Sequence, residues 1–423
     1  MLPPPMRILL APFGSEGDVN PLLWLAEGLQ QRGHDVLVML TPHYGHLADR
    51  RNLRWVPVGT AEDFERFARD PRLWKPRVGT RFVLKSIFET APAVRATFES
   101  LEGEFDLIVT STIGLVIASL AEARGIPCAM MHMQPMVLQS VGDCPLFMEG
   151  MQWLCNSPAF VKRAVFALTD KMVWSMIGRP VNSIRKDLGL RPMRSFYHDA
   201  LHGADAVGVL FPEWFAPPQP DWPAHIRQLG FPLTLSTPQP LPSEVESFLA
   251  AGEPPVVWTH GSANFDIAHF QARAIACSEE LGIRSLLVSL DPPQTALPPN
   301  ILHVRHVRFE DLFPRCRAVV HHGGIGTMSK VIAAGIPHLV VPRSHDQPDN
   351  GHRIEKRGLG RSLSYGKLDS PALARTLSEV LASPVIAESC RRYQTMIPQD
   401  PRPSACEWLE SVARSGSKLQ RVT

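Results

Sequence analysis

This 423-residue chain lacks an excess of charge of either sign: 43 Lys and Arg stand against 41 Asp and Glu, a net charge of +2. A nucleic-acid binder should be clearly basic, so that class is disfavoured, although a local basic patch is not. Cysteine is sparse and unpaired. The seven thiols (Cys128, Cys144, Cys155, Cys277, Cys316, Cys390, Cys406) are scattered, odd in number and without a CxxC pair. This excludes a visible zinc framework and suits a reduced, cytoplasmic chain. Long apolar runs are missing too. No stretch has the length of a membrane span, and "MLPPPMRILLAPFG" lacks the apolar core of a signal peptide, so its short run reads as a first strand. There is no internal repeat and no low-complexity tract.

What is present is a soluble globular composition, 44% hydrophobic and 20% charged, in a chain longer than one core usually serves. Short apolar runs alternate with helical spacing. Strands are expected at 7–13, 35–40, 53–58, 105–111 and 126–133, with helices at 19–34 and 115–125. The pattern resumes with strands at 254–261, 283–290, 300–307, 317–322 and 337–342. Helices are expected from about Ile325, after "HDQPDN", and over 404–416. Runs this apolar imply parallel sheets covered on both faces. Forty prolines punctuate the chain. They cluster in 211–242, where their spacing forbids a long helix and favours extended linker. The reading is therefore two doubly wound α/β domains facing across a cleft: 1–220, a linker at 221–242, and 243–423, with the last helix able to return to the first domain.

Ligands of such sheets bind at strand-to-helix turns beyond the carboxyl ends of the strands. Four turns stand out. "HHGGIGT" (His321–Thr327) places glycines and a helix start where backbone N–H groups and the helix dipole favour an anion. The alternatives are an empty Gly-rich turn or a metal site. No HxxxH pair with a carboxylate supports a metal. "VPRSHDQPDN" offers Asp346 and Gln347, acceptors and an amide suited to sugar hydroxyls, or else a plain helix cap. "APFGSEGDVNP" carries Ser15 and Asp18; Asp18 is either a cap or a general base for an acceptor hydroxyl. "WTHGSANF" carries Ser262 within reach of phosphate. None is a GxGxxG dinucleotide fingerprint, which demotes an NAD enzyme.

Taken in order, "GSEGDVNP", "HHGGIGT" and "GIPHLVVPRSHDQPDN" resemble the family 1 nucleotide-sugar glycosyltransferases of GT-B fold, over almost the whole chain. The resemblance implies Asp18 as the acceptor-activating base. Plant members have a histidine–aspartate dyad there, which does not carry over. It further implies that His321, Gly323, Gly324 and Thr327 hold the donor diphosphate, joined by Ser15 and Ser262, and that Asp346 and Gln347 hold the sugar. Where plant members stack a tryptophan on the base, Arg305 falls, with His306 and Val307 beside it; uridine versus thymidine stays open. "DPRLWKP" (70–76), "FPEWFAPPQPDWP" (211–223) and "GFPL" (230–233) resemble the rhamnosyltransferase chains of rhamnolipid synthesis. That subgroup implies a hydrophobic acceptor more strongly than it implies rhamnose.

The expectation is thus an inverting, metal-independent hexosyltransferase with no cofactor. Its donor co-substrate is dTDP-rhamnose or UDP-glucose, and its acceptor is a lipid, phenolic or sterol-like compound. A non-catalytic binding partner and a nucleotide-sugar epimerase are the competing classes. The methionine-rich stretch 130–154 offers Met133, Met136, Met148 and Trp153 as an acceptor pocket or as ordinary packing. Peripheral membrane contact is compatible with a lipid acceptor.

Overall fold

A computed structural model describes residues 4–75, 78–233, 239–261, 267–369, 371–398 and 400–416. The chain divides into two compact units. One comprises residues 1–145, 151–232 and 401–423; the other comprises 146–150 and 233–400.

In the first unit, seven parallel strands form one sheet in the order β3-β2-β1-β4-β5-β6-β7. They are β1 (Arg7–Ala11), β2 (Asp35–Leu40), β3 (Arg54–Pro57), β4 (Leu107–Ser111), β5 (Cys128–His132), β6 (Ala206–Val209) and β7 (Ile226–Gln228). Every residue of β4 and β5 is buried, as expected of central parallel strands with both faces covered. The polar residues of β4 fasten the backbone next door. Thr110 donates to the Ala11 carbonyl (2.8 Å), and Ser111 Oγ both donates to Phe13 O (2.8 Å) and accepts from Phe13 N–H (2.9 Å). The turn leaving β1 is therefore held by its neighbouring strand.

In the second unit, six parallel strands are ordered β10-β9-β8-β11-β12-β13. They are β8 (Val256–Thr259), β9 (Ser285–Val288), β10 (Ile301–Val304), β11 (Ala318–His321), β12 (His338–Val340) and β13 (Gly360–Ser362). β11 lies between β8 and β12. Trp258 is fully buried in the core, its indole N–H donating to Ser285 Oγ (3.1 Å).

The unit boundaries differ from the sequence-based ones at two points. β7 falls inside the expected linker and pairs with β6, so residues up to 232 belong to the first sheet. Trp214, Phe215 and Phe231 cluster there, with Phe215 and Phe231 buried. Residues 146–150 join the second unit: Leu146 N–H donates to buried Asp349 (2.9 Å), and Ser364 donates to Glu149 (2.6 Å). The last helix, Arg402–Ser415, returns to the first unit and packs against the helix Glu16–Gln31. Glu410, 2% exposed, there receives Arg32 (2.5 Å) and His34 (3.0 Å).

Two helical regions lie outside the elements expected from sequence. Residues 79–100 form two helices, Gly79–Glu89 and Ala91–Ser100, which meet at Thr90 with Pro92 in the first turn of the second. An unanticipated 29-residue helix, Ala159–Asp187, follows the methionine-rich stretch.

Candidate active site

The turn leaving β1 enters the helix Glu16–Gln31, whose N-cap is Ser15. Asp18 stands at the third helical position and turns back onto the cap. Ser15 N–H and Ser15 Oγ–H both donate to Asp18 Oδ2, each at 2.9 Å. Gln134, just beyond β5, donates through Nε2 to Asp18 Oδ1 at 3.2 Å. Gly14, at φ +123°, makes this possible, because a Cβ there would collide with the Asp18 carboxylate. Burial holds the Asp18 carboxyl above its ordinary range, and the bonds from Ser15 and Gln134 oppose that shift only in part. A carboxylate raised in this way, with one oxygen doubly bound by Ser15 and the other carrying one bond, is chemically suited to accept a proton.

A fixed polar chain lies beside Gln134, with Thr112 Oγ1 3.5 Å from Gln134 Oε1. His132 is fully buried; burial pushes its pKa down to about 4, so the ring is neutral. Its Nε2–H donates to the Leu201 carbonyl (3.2 Å), which leaves Nδ1 as an acceptor for the Thr112 hydroxyl (3.0 Å). The Thr112 proton is thereby committed, so Thr112 does not compete for the Gln134 carbonyl. Thr112, His132 and Gln134 lie outside the residues singled out from sequence.

In the second unit, the turn leaving β11 enters the helix Ile325–Ala334 with Gly324 as N-cap. No side chain caps this helix. Gly323, at φ +92°, brings the turn against Val340 and the Gln347 backbone, where a Cβ would clash. Thr327 is half-buried in the first turn.

The two histidines of this turn have different surroundings. His321 is fully buried. Its Nδ1 accepts from Gly323 N–H (3.1 Å), so in the neutral ring Nε2–H donates to His338 Nδ1 (3.0 Å). Burial, with His338 and His322 nearby, holds its pKa far below the ordinary value. Both nitrogens are engaged in shaping the turn and neither is left to meet a phosphate. His322 is half-buried, flanked by Gly261 and Gly324, and its buried Nδ1 has no partner among the described residues. Burial brings its pKa down to about 4.

The neighbouring strand ends add to this edge. His260 follows β8; its pKa is pushed to about 3 by burial first and then by His322 and Arg343. Arg343 follows β12 and lies over the Tyr365 ring, 4.7 Å from its centroid. An uncapped helix N-terminus, His322 and an arginine thus collect at the carboxyl ends of β8, β11 and β12, a set suited to an anion. His322 stood beside His321 in the sequence motif as an alternative phosphate donor, whereas Arg343 lay within its motif without being singled out.

The remaining expected residues fall as follows. Asp346 is the N-cap of the helix Gln347–Lys356 and accepts from Asn350 Nδ2 (2.7 Å), which also donates to Gly323 O (2.9 Å). Gln347 is buried, its carbonyl accepting from Arg343 N–H (2.9 Å). His345, at φ +58°, turns the chain into this helix. Arg305 and His306 are exposed beyond the edge strand β10, whereas the Val307 side chain is in the core, leaving only its backbone for a ligand. Ser262 lies outside the described residues. The four expected acceptor residues differ in exposure and in the unit that carries them. Met133 is 1% exposed, Met136 is half-buried, Trp153 is 54% exposed, and Met148 belongs to the second unit. Among the described residues no group of three or more His, Cys, Asp or Glu could hold a metal ion.

Solved structures share this architecture. The kitacinnamycin glycosyltransferase superposes with a TM-score of 0.73 at 19% identity, covering 97% of this chain and all of that one. The glycosyltransferase VinC, solved in complex with dTDP, gives 0.68 at 20% identity with the same coverage. The fold is accordingly GT-B: two α/β units, each built on a parallel sheet.

Sequence relatives carry the class further. Residues 285–409 match the C-terminal domain of proteins like erythromycin biosynthesis protein CIII. The uncharacterized glycosyltransferase Rv1524 of Mycobacterium tuberculosis is 28% identical over 392 residues, 89% of this chain and 91% of that one. O-mycaminosyltylonolide 6-deoxyallosyltransferase of Streptomyces fradiae is 28% identical over 430 residues, covering 96% and 98%. These likenesses support a glycosyltransferase of the GT-B type.

Proposed function

We propose that this glycosyltransferase moves a hexose from a nucleoside-diphosphate sugar to a hydroxyl of a hydrophobic small molecule, with inversion at the anomeric carbon. The acceptor O–H gives its proton to Asp18 Oδ1 as the oxygen attacks the anomeric carbon. The bond from that carbon to the diphosphate breaks, and its electron pair leaves with the β-phosphate oxygen. Asp18 belongs to the first unit; Ser15 and Gln134 hold its carboxylate. The second unit receives the diphosphate at the helix start Gly324–Thr327, with His322 and Arg343 as added donors. Charge building on the departing diphosphate meets oriented N–H groups, the kind of electrostatic stabilisation that commonly dominates. Asp346 and Gln347 take the sugar hydroxyls. Arg305, with the backbone at His306 and Val307, takes the base. No metal or cofactor enters this scheme, so activity should survive EDTA.

The single observation that carries the reading is the Asp18 carboxylate, held by three hydrogen bonds and raised by burial at the carboxyl end of β1. Thymidine is the favoured base, supported by the dTDP complex of VinC, a structural neighbour. The natural-product name of the Streptomyces fradiae relative and the rhamnolipid-like segments both favour a hydrophobic acceptor. Rhamnose or another deoxyhexose is the favoured sugar. A UDP-glucose enzyme for phenolic or sterol-like acceptors is the second reading, because Arg305 at the base position does not select between bases.

Thermal unfolding with dTDP, UDP and their sugars separates the readings. A ligand of the folded state alone raises the midpoint by mass action. A shift with dTDP species supports the deoxyhexose reading, and a shift with UDP species the second. No shift with either removes the donor site from the account.

A further inference from the structure

The helix Ala159–Asp187 has two faces of unequal use. One face is buried in the first unit through Phe166, Val173, Ile177 and Val181. The other carries large apolar side chains into solvent at every fourth or eighth position: Phe160 (71% exposed), Leu168 (68%), Met172 (52%) and Met176 (39%). Ala164 fills the remaining step of the stripe and is also exposed. Such spacing aligns side chains along one ridge of a helix. Over these residues the ridge runs about 24 Å at 1.5 Å per residue. Trp153, in the short helix Gln152–Cys155 just before, is 54% exposed.

The charges on this face are all of one sign. Arg163, Lys171 and Arg179 are exposed and form no ion pair among the described residues. The one acid between Ala159 and Lys186 is Asp170, and it is turned onto the Phe196 and Tyr197 N–H groups, both at 2.9 Å. Of the other basic residues of the helix, Lys162 donates to the Val141 carbonyl, Arg185 pairs with Glu122, and Lys186 is exposed near the C-terminal end beyond this face. A second copy of this chain suits the face poorly, since isologous pairing would bring its cations against their own symmetry mates. A protein partner of ordinary interface size would need a broader patch than one ridge. A surface of anionic headgroups over an apolar layer matches both features, with tryptophan and phenylalanine at one end as interfacial anchors. The helix is not a spanning one: among the described residues no helix is long and apolar enough to cross a membrane.

We propose that the face Phe160–Arg179 docks this enzyme on an anionic lipid surface. A hydrophobic acceptor dissolved in that surface would then be collected where it resides. This last step rests on the acceptor reading above; the docking itself does not.

The test is co-sedimentation of the whole chain with phosphatidylcholine vesicles and with mixed phosphatidylcholine–phosphatidylglycerol vesicles of equal size. Binding is expected to the mixed vesicles and to weaken with salt. Lys171→Gln combined with Arg179→Gln should lower the partition roughly fivefold per charge. Leu168→Glu with Met172→Glu should abolish binding while leaving nucleoside-diphosphate affinity and secondary structure intact. Equal binding to both vesicle types, or binding unchanged by either double variant, would overturn the proposal. So would a wild-type dimer in sedimentation velocity that the Leu168→Glu/Met172→Glu variant dissolves, because a second copy would then cover the face. Failure of the donor assignment would show in nucleotide binding and leave these vesicle results untouched.

Discussion

The turns after β1 and after β11 are built alike and filled differently. Each runs from a parallel strand through a left-handed glycine, Gly14 or Gly323, into the N-terminus of a helix. In the first unit the third helical residue is Asp18, whose carboxylate folds back onto Ser15 N–H. In the second it is Thr327, and no side chain caps the helix. One helix start is occupied by the protein's own anion, while the other leaves its N–H groups for a foreign one. On the proposed reading, the same local geometry yields a base in one unit and an anion site in the other, and the third helical residue makes the difference.

Removing the internal anion is the strongest way to break this contrast. Asp18→Asn keeps the shape and loses the base, so turnover should fall roughly a hundredfold or more while nucleoside-diphosphate affinity stays near wild type. Steady-state kinetics beside calorimetry reads both.

Transplanting the internal anion is the next. Thr327→Asp puts a carboxylate at the matching position of the second helix. It should stabilise that helix start by about 0.5 kcal/mol and repel the donor, with dTDP affinity falling at least about tenfold. Higher Tm with weaker binding is the expected pair of readings.

The two adjacent histidines sharpen the comparison at a smaller scale. His322→Ala should weaken nucleoside-diphosphate binding several-fold with Tm barely moved. His321→Ala removes a buried ring bonded to Gly323 and His338, so stability should fall by about 2 kcal/mol, with binding weakened only as the turn loosens. Equal behaviour of the two variants would refute the division of roles.

Gln134→Ala should act most gently. It removes one bond to the charged carboxylate, so the Asp18 pKa rises further from its already raised position. Asp18 works as a base only when ionised, so activity is lost as pH falls through its pKa. The acid limb of kcat/KM should therefore move to higher pH in the variant, with a few-fold loss on the plateau. A loss without movement of the limb would reduce Gln134 to a packing residue.

Much of this was readable from sequence where one local rule sufficed. The strand Asp35–Leu40 is where the apolar run placed it, and Gly125 ends its helix in the left-handed conformation. The two glycine turns were visible for the same reason, since strand, glycine and helix start are local signals. What was hidden depends on partners far along the chain. The choice between His321 and His322 is made by His338, 17 residues on. Gln134 reaches Asp18 across 116 residues. The long helix Ala159–Asp187 escaped notice because its exposed face is apolar as well, so the periodic contrast that marks an amphipathic helix is weak. β7 was concealed among prolines read as linker, because an edge strand of three residues needs little pattern of its own.

The most direct measurement is calorimetric titration of dTDP and UDP into the wild type, Asp18→Asn and Thr327→Asp. The account predicts that whichever nucleotide binds the wild type binds Asp18→Asn equally well and Thr327→Asp at least about tenfold more weakly. Undiminished binding by Thr327→Asp would take the diphosphate away from the helix start at Gly324 and contradict the division of labour between the two turns.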